Sequence, residues 1–297
     1  MKKLITHSGS FHADDIFATA TLSILLERNG EAFEIIRTRD PEIMKTADYI
    51  YDVGGVYDEA TNKFDHHQVG GAGKGENGIE YSSFGLVWKK FGAEVCESSE
   101  VAEKINKKLV SPIDAHDNGM DLVKNMYDTA PYFVQYFFYS MVPTWLEDQD
   151  KTNYDKMFLE SVEIAKKILF REIAQARDLL IAEKSIQEIY ENTTDKRIVT
   201  FDRNYPPAQI IQNFKETLFI IYPRSDGTFG VRTVRENSES FGNRKDFPKA
   251  WGGLMEEELQ NITGVSDAIF CHRALFLAVA RSLEGATKLA HIAIKNS

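Results

Sequence analysis

Three short apolar runs near the start of the chain each stop on a residue that binds cations. Residues 3–6 read as a strand that runs into His7, residues 49–51 as a strand that ends at Asp52, and a further short extended segment ends at Asp65-His66-His67. Strands of an open α/β sheet collect ligands in the crevice beyond their carboxyl ends. This pattern therefore calls for a parallel α/β sheet whose polar edge gathers imidazoles and carboxylates.

The intervening sequence supports that layout. After the turn Ser8-Gly9-Ser10, Asp14 and Asp15 open an amphipathic helix with Ile16, Phe17, Ala20, Ile24 and Leu25 at helical spacing. Carboxylates in a first helical turn suit the positive end of the helix dipole. Residues 33–36 read as another strand. Gly54-Gly55 marks a tight turn and by itself carries no function.

Clustering turns these residues into a candidate site. Five of the seven histidines, His7, His12, His66, His67 and His116, precede residue 117, each beside a carboxylate or a Gly/Ser turn. A pocket holding Asp14, Asp52, Asp65 and Asp114 would be destabilised by like-charge repulsion, so its carboxylates either protonate or recruit cations. A donor set of imidazole and carboxylate without thiolate suits manganese, magnesium, cobalt or zinc in an open site where water is activated.

Read in order, THSGSFHADD, DVGGVYD, FDHH and IDAHDNG resemble the N-terminal motifs of the DHH phosphoesterase superfamily, and more narrowly the Myg1 family of metal-dependent hydrolases. SFGNRKDFPKAWGGLMEEEL and EGATKLA extend the likeness over almost the whole chain. The resemblance implies a parallel-sheet DHH-type N-terminal domain and a smaller C-terminal α/β domain that closes over substrate. It implies two divalent metal ions, Mn2+ foremost, with His7 and His12 on one, Asp14, His66 and Asp114 on the other, and Asp52 bridging. His67 then faces the substrate phosphate, and the catalytic set is Asp52, His67 and Asp117. Asp117 either orients a ligand or caps the segment that follows. His12 stands where the superfamily has an Asp, a nitrogen-rich departure that favours manganese, cobalt or zinc over magnesium at that position. His116 matches no histidine of the family pattern. The family's Gly-Gly segment after a strand-end His is absent around His272, which enters the substrate-binding set on its position alone.

The implied activity is a 3′-5′ exonuclease on short single-stranded RNA or oligonucleotides. The alternatives are hydrolysis of another small phosphoester, phosphoanhydride or amide, or a metal-binding protein without turnover. Charge gives the second domain a part in this. The chain carries −10 overall, yet residues 196–249 hold ten Lys or Arg against six Asp or Glu. A local basic face of Arg232, Arg235, Arg244 and Lys245 would hold substrate phosphates, or is a solvated hairpin surface.

At 297 residues the chain suits more than one domain. The expected division is a catalytic domain over 1–150, a helical connector over 151–195 and a substrate-binding domain over 196–297. Helices are expected at 83–91, 99–109, 155–192 and 283–294, and strands at 197–201, 217–222, 229–234 and 268–271. The connector also offers a surface for a homodimer. No run approaches a membrane span, and two distant cysteines, Cys96 and Cys271, fit a reducing cytoplasm better than a disulfide framework. The loop at 70–78 lacks the spacing of a nucleotide-binding P-loop; it is an active-site flap or a surface loop.

Overall fold

The computed structural model describes residues 1–147, 151–206, 210–237 and 242–296. Ser240 and Phe241, which open the SFGNRKDFPKAWGGLMEEEL motif, and the expected domain boundary at residue 150 lie outside them. The chain forms two compact units, Met1–Arg177 and Asp178–Ser297. Among the described residues no helix is long and apolar enough to cross a membrane.

The first unit is built on five strands, β1 (Lys2–Thr6), β2 (Phe33–Arg37), β3 (Tyr49–Tyr51), β4 (Tyr57–Asp58) and β5 (Lys63–Phe64), in the order β2-β1-β3-β5-β4. All neighbours are parallel except the edge pair β4 and β5. The sheet is therefore parallel with one antiparallel edge, and β1, β3 and β5 end side by side. Two-residue strands such as β4 and β5 show no periodicity, so sequence could not place that pairing.

Helix α1 (Ala13–Arg28) departs from expectation. It is buried from Ala13 to Leu26 rather than amphipathic, because it packs against strands on one side and against α3 (Ser83–Cys96) and α6 (Val134–Tyr139) on others. Its hydroxyls make this tolerable by bonding back along the helix: Thr19 Oγ1 donates to Asp15 O at 2.6 Å and Thr21 Oγ1 to Phe17 O at 2.8 Å. Phe17 stacks on Phe84 at 5.2 Å, and each such fully buried ring contributes roughly 1.5–3 kcal/mol. Two further helices, α4 (Ser99–Ile105) and α5 (Ser111–Asp117), are joined by a π-helical turn over Asn106–Val110; a short α2 (Pro41–Met44) leads into β3.

The long helix α7 spans Lys151–Asn192, and the division between the two compact units falls inside it. Phe158, Val162, Ala165, Leu169 and Ile173 are buried within the first unit. Ala182 and Ile186 instead join a core of the second unit with Val199, Phe201, Phe214 and Ile220. One helix thus supplies apolar residues to two separate cores.

The second unit carries β6 (Ile198–Thr200), β7 (Phe219–Pro223), β8 (Phe229–Thr233), β9 (Ala268–Cys271) and β10 (Leu277–Ala280), ordered β6-β7-β8-β10-β9. Only β6 and β7 run parallel. Helices α8 (Glu256–Thr263) and α9 (Leu283–Lys295) complete a core containing Phe219, Phe247, Trp251 and Leu289. Gly227, at φ +80°, makes the β7–β8 turn that only glycine enters freely.

Candidate metal centre

Backbone geometry at the ends of β1, β3 and β5 decides which side chains meet. Asp52, one residue past β3, takes φ 55°, a left-handed conformation that Asp and Asn reach more readily than other non-glycine residues. Gly54 and Gly55 follow at φ +103° and +68°. This turn is more than a connection: it returns the chain so that the Gly55 N–H donates to Asp65 Oδ2 at 2.5 Å.

Asp65 organises the histidine pair without joining the ligand groups. It is buried, and its Oδ1 accepts from the backbone N–H groups of His66 and His67 at 2.7 and 3.1 Å and lies 2.7 Å from His67 Nδ1. With Nδ1 held there, the Nε2 edge of His67 faces outward, and the side chain is 61 % exposed. His66 turns inward: its Nε2 lies 3.3 Å from both Asp52 Oδ1 and Asp117 Oδ2, and 4.0 Å from Asp14 Oδ2.

The start of α1 closes the other side. His12 is the N-cap residue, its N–H donating to Asp15 Oδ1 at 2.9 Å. His7 Nε2 sits 3.2 Å from Asp15 Oδ2 and 3.1 Å from Asp52 Oδ2. Asp14 accepts from Ser83 Oγ at 2.7 Å. The structure thus gathers His7, His12, Asp14, Asp52 and His66 in one cleft. Three sets of donor atoms lie within 4.8 Å of one another: His7, His12 and Asp52; Asp52, His66 and His67; and His12, Asp14 and Asp117.

Asp114, expected among the ligands, is absent from these three sets and hydrogen-bonds to the start of α3. Its Oδ1 accepts from Ser82 N, Ser82 Oγ and Gly85 N at 3.1, 2.6 and 3.1 Å, anchoring the start of α3. A Cβ at Gly85 would stand 2.3 Å from Asp114 Oδ2, so the approach needs glycine. Asp117, one turn later on α5, enters the cluster instead. The same arrangement recurs in the second unit, where Ser282 donates N–H and Oγ to Asp267 Oδ2 at 2.9 and 2.5 Å beneath Gly285.

The electrostatics suit cations. Burial together with the charges of Asp52, Asp117 and Asp15 pushes the Asp14 carboxyl well above its usual range. Burial, with the Asp52 carboxylate, raises Asp117 against the pull of His66. Burial alone would lower His7, but the Asp15 and Asp52 carboxylates against its Nε2 overcome it and push the imidazole up to about 10. His66 is raised by Asp52 and Asp117 despite its burial, while Asp52 is held below the usual carboxylate range by His66 and His7 in spite of its own burial. Asp14 Oδ1, Asp15 Oδ2 and His66 Nε2 are buried without a hydrogen bond of normal geometry. Buried polar atoms are normally bonded. Orphaned donor atoms converging among like charges fit divalent cations.

The remaining expected residues lie in the second unit. Arg232 and Arg235, with Gln212, Asn243 and Phe276, line a cavity of about 560 Å³. Arg232 also stacks over Tyr222 at 5.3 Å. Arg244 is turned inward, donating to the carbonyls of Phe214 (2.6 Å), Thr217 (3.0 Å) and Gln212 (2.9 Å), which makes it an organiser of that loop. Lys245 is half-buried. His272 Nδ1 accepts from Ala274 N at 3.0 Å and its ring packs on Phe276 at 4.4 Å, shaping the β9–β10 turn.

Comparisons with known proteins agree with the sequence. The model of the uncharacterised protein family UPF0160, MYG1_exonuc, matches residues 3–294. A MYG1 protein of Schizosaccharomyces pombe is 30% identical over 323 residues, covering 98% of this chain and 97% of the relative. A human protein named MYG1 exonuclease is 28% identical over 319 residues, covering 96% and 84%. Among solved structures, RecJ of Thermus thermophilus in complex with Mn2+ aligns at 13% identity and a TM-score of 0.27, covering 100% of this chain. The chain spans about half the length of that structure, at 52%.

Proposed function

Because the chain belongs to the uncharacterised protein family UPF0160, the MYG1 exonuclease family, we propose that it is a divalent-metal-dependent phosphoesterase that removes nucleotides from the 3′ end of short single-stranded RNA. The observation that carries this reading is the position of Asp52 between two sets of imidazole and carboxylate donors, His7 and His12 on one side and His66 with Asp14 and Asp117 on the other. His7 and His12 with Asp52 would hold one cation, and Asp14, His66 and Asp117 with Asp52 the other, with manganese preferred by the nitrogen-rich first set. When bound, such a pair supplies Lewis acidity and offsets the charge that develops on a phosphate. The name exonuclease carried by the human relative supports a nucleic-acid substrate.

The chain's own residues divide the remaining work. Asp65 fixes the His67 ring through Nδ1, leaving the Nε2 edge to face a substrate phosphate. Asp15 holds His7 in register at the opposite side of Asp52. Within the second unit, Arg232 and Arg235 line a cavity that would hold phosphate groups, with Lys245 contributing charge; Arg244 and His272 support that surface by organising its loops. A cytoplasmic setting is supported by Cys96 and Cys271, both buried and unpaired. The outer side of α7 exposes Leu159 and Phe170, a surface for pairing with a second copy.

The test is a substrate screen with manganese, magnesium, cobalt, zinc or chelator over short RNA, short DNA, cyclic dinucleotides, pyrophosphate and peptides. The expected result is a ladder of 5′-labelled RNA products shortened one nucleotide at a time in manganese. Pyrophosphate hydrolysis with no action on any oligonucleotide would replace the nuclease reading by a phosphoanhydride one. Cation binding without turnover of anything would leave a metal-binding protein.

A further inference from the structure

His116, which the cation groups do not use, belongs to a continuous series of rings that runs from the surface to the metal centre. Tyr132 lies 5.9 Å from Tyr136, Tyr136 meets His116 edge-on at 5.6 Å, and His116 lies 6.4 Å from Tyr139. Tyr139 then meets His12 edge-on at 5.8 Å, and His12 lies 6.0 Å from His7. Tyr136 and Tyr139, three apart, share one side of α6, and Tyr132, in the residues before the helix, joins them by its ring contact with Tyr136. They are not core residues: Tyr132 is 70 % exposed, Tyr136 39 % and Tyr139 44 %. A contiguous exposed aromatic surface marks an interaction site.

Its chemistry and its endpoint select the partner. Asp121, Lys124 and Asp128 are the charged residues between Met120 and Leu146, a net charge of only −1. What the surface offers is flat rings with wet hydroxyl edges, and every nucleobase presents a π-face that stacks on such rings without regard to sequence. The series ends on His12 and His7, where a phosphodiester would have to lie to be cut. An apolar protein partner gives no reason for that continuity with the candidate metal ligands. We infer that Tyr132 and Tyr136, with His116 as the next ring inward, form a stacking platform for the bases of a single-stranded oligonucleotide whose scissile phosphodiester lies at the metal centre. This rests on the nuclease reading above and names its missing base-binding surface.

The test compares binding of a phosphorothioate r(A)5 with that of an abasic pentamer of the same charge, using manganese-loaded full-length protein. Y132A and Y136A should each weaken r(A)5 binding by roughly tenfold or more while leaving metal content unchanged. Y132F and Y136F, which keep the ring, should bind like wild type, and the abasic pentamer should bind all five proteins alike. Equal weakening of both ligands, or no change with r(A)5, overturns the platform. So does light scattering that shows a wild-type dimer dissociated by Y132A/Y136A, since a second copy then covers the rings. Wild-type RNA cleavage with tyrosine-independent binding sinks the platform and spares the nuclease; tyrosine-dependent binding with no cleavage does the reverse.

Discussion

Replacing Asp65 by Asn isolates the residue that holds the histidine pair in place. Its two oxygens are shared unequally: Oδ1 faces three donors from His66 and His67, and Oδ2 faces the Gly55 N–H at 2.5 Å. An asparagine can keep its oxygen toward the three donors only by aiming its NH2 group at Gly55. One hydrogen bond to a charged acceptor is lost, about 1.5–3 kcal/mol, and a donor now opposes a donor at a site where Asp65 is only 2 % exposed. Together with weakening of the other three bonds, the expected destabilisation is about 2–4 kcal/mol. For a unit of this size that is a fall of roughly 5–15 °C in Tm, read by thermal unfolding of the metal-free protein. H67A removes a side chain that is largely exposed and should leave Tm within about 2 °C while lowering kcat by about a hundredfold. The part of the D65N rate loss that runs through His67 should vanish in the H67A background, leaving only the cost of loosening His66, so the two losses should fall short of multiplying. A D65N protein that melts with the wild type, or rate losses that multiply in the double variant, would refute this account.

Other perturbations separate neighbouring roles. D52N should abolish turnover and remove both cations, because Asp52 faces His7 with one oxygen and His66 with the other, whereas H67A, whose ring is tied to Asp65, should retain them; elemental analysis distinguishes these outcomes. Apparent manganese affinity should rise with pH toward about 10, where His7 gives up its proton, since the raised His7, His66, Asp14 and Asp117 hold protons that a cation must displace. Calorimetry in two buffers of different ionisation heat should register net proton release, and none at all would contradict the assigned shifts. In the metal-free protein the protonated His7 contributes stability fully below about pH 6.5, and that contribution is lost as pH rises through about 10. G85A should cost about 1–3 kcal/mol, because its Cβ would meet Asp114 Oδ2 at 2.3 Å, with metal binding perturbed only through the shift of α3; an unchanged Tm would show that the contact is not tight.

The strand-end histidines and carboxylates were legible because each follows an apolar run in a short sequence interval. The assignment of Asp114 was not. Asp114 and Asp117 are one turn apart on α5, and their roles differ by which neighbour that turn reaches: the start of α3 for the first, His66 for the second. Without the helix, read in sequence only as an Asn-Gly turn, no rotation could be assigned. The burial of α1 was hidden because Thr19, Thr21 and Ser23 look solvent-facing until the i−4 bonds of the two threonines are known. The aromatic residues of α6 were silent for the opposite reason: exposed rings have no periodic polar partner to announce them. Charge counting found the basic stretch of the second unit but could not foresee that Arg244 turns to three carbonyls.

Helix α1 carries His12, Asp14 and Asp15 at its first turn and is buried through to Leu26. Donor atoms fixed to such an element cannot shift to suit an ion's radius without moving the centre of the unit, since a packed interior transmits displacement rather than absorbing it. Fit to a cation is therefore a property of the fold, set before any metal arrives. The amides of the α1 residues after the first turn should exchange with solvent water only through global opening of the first unit, as slowly as those of β1, while the edge strand β4 exchanges far faster.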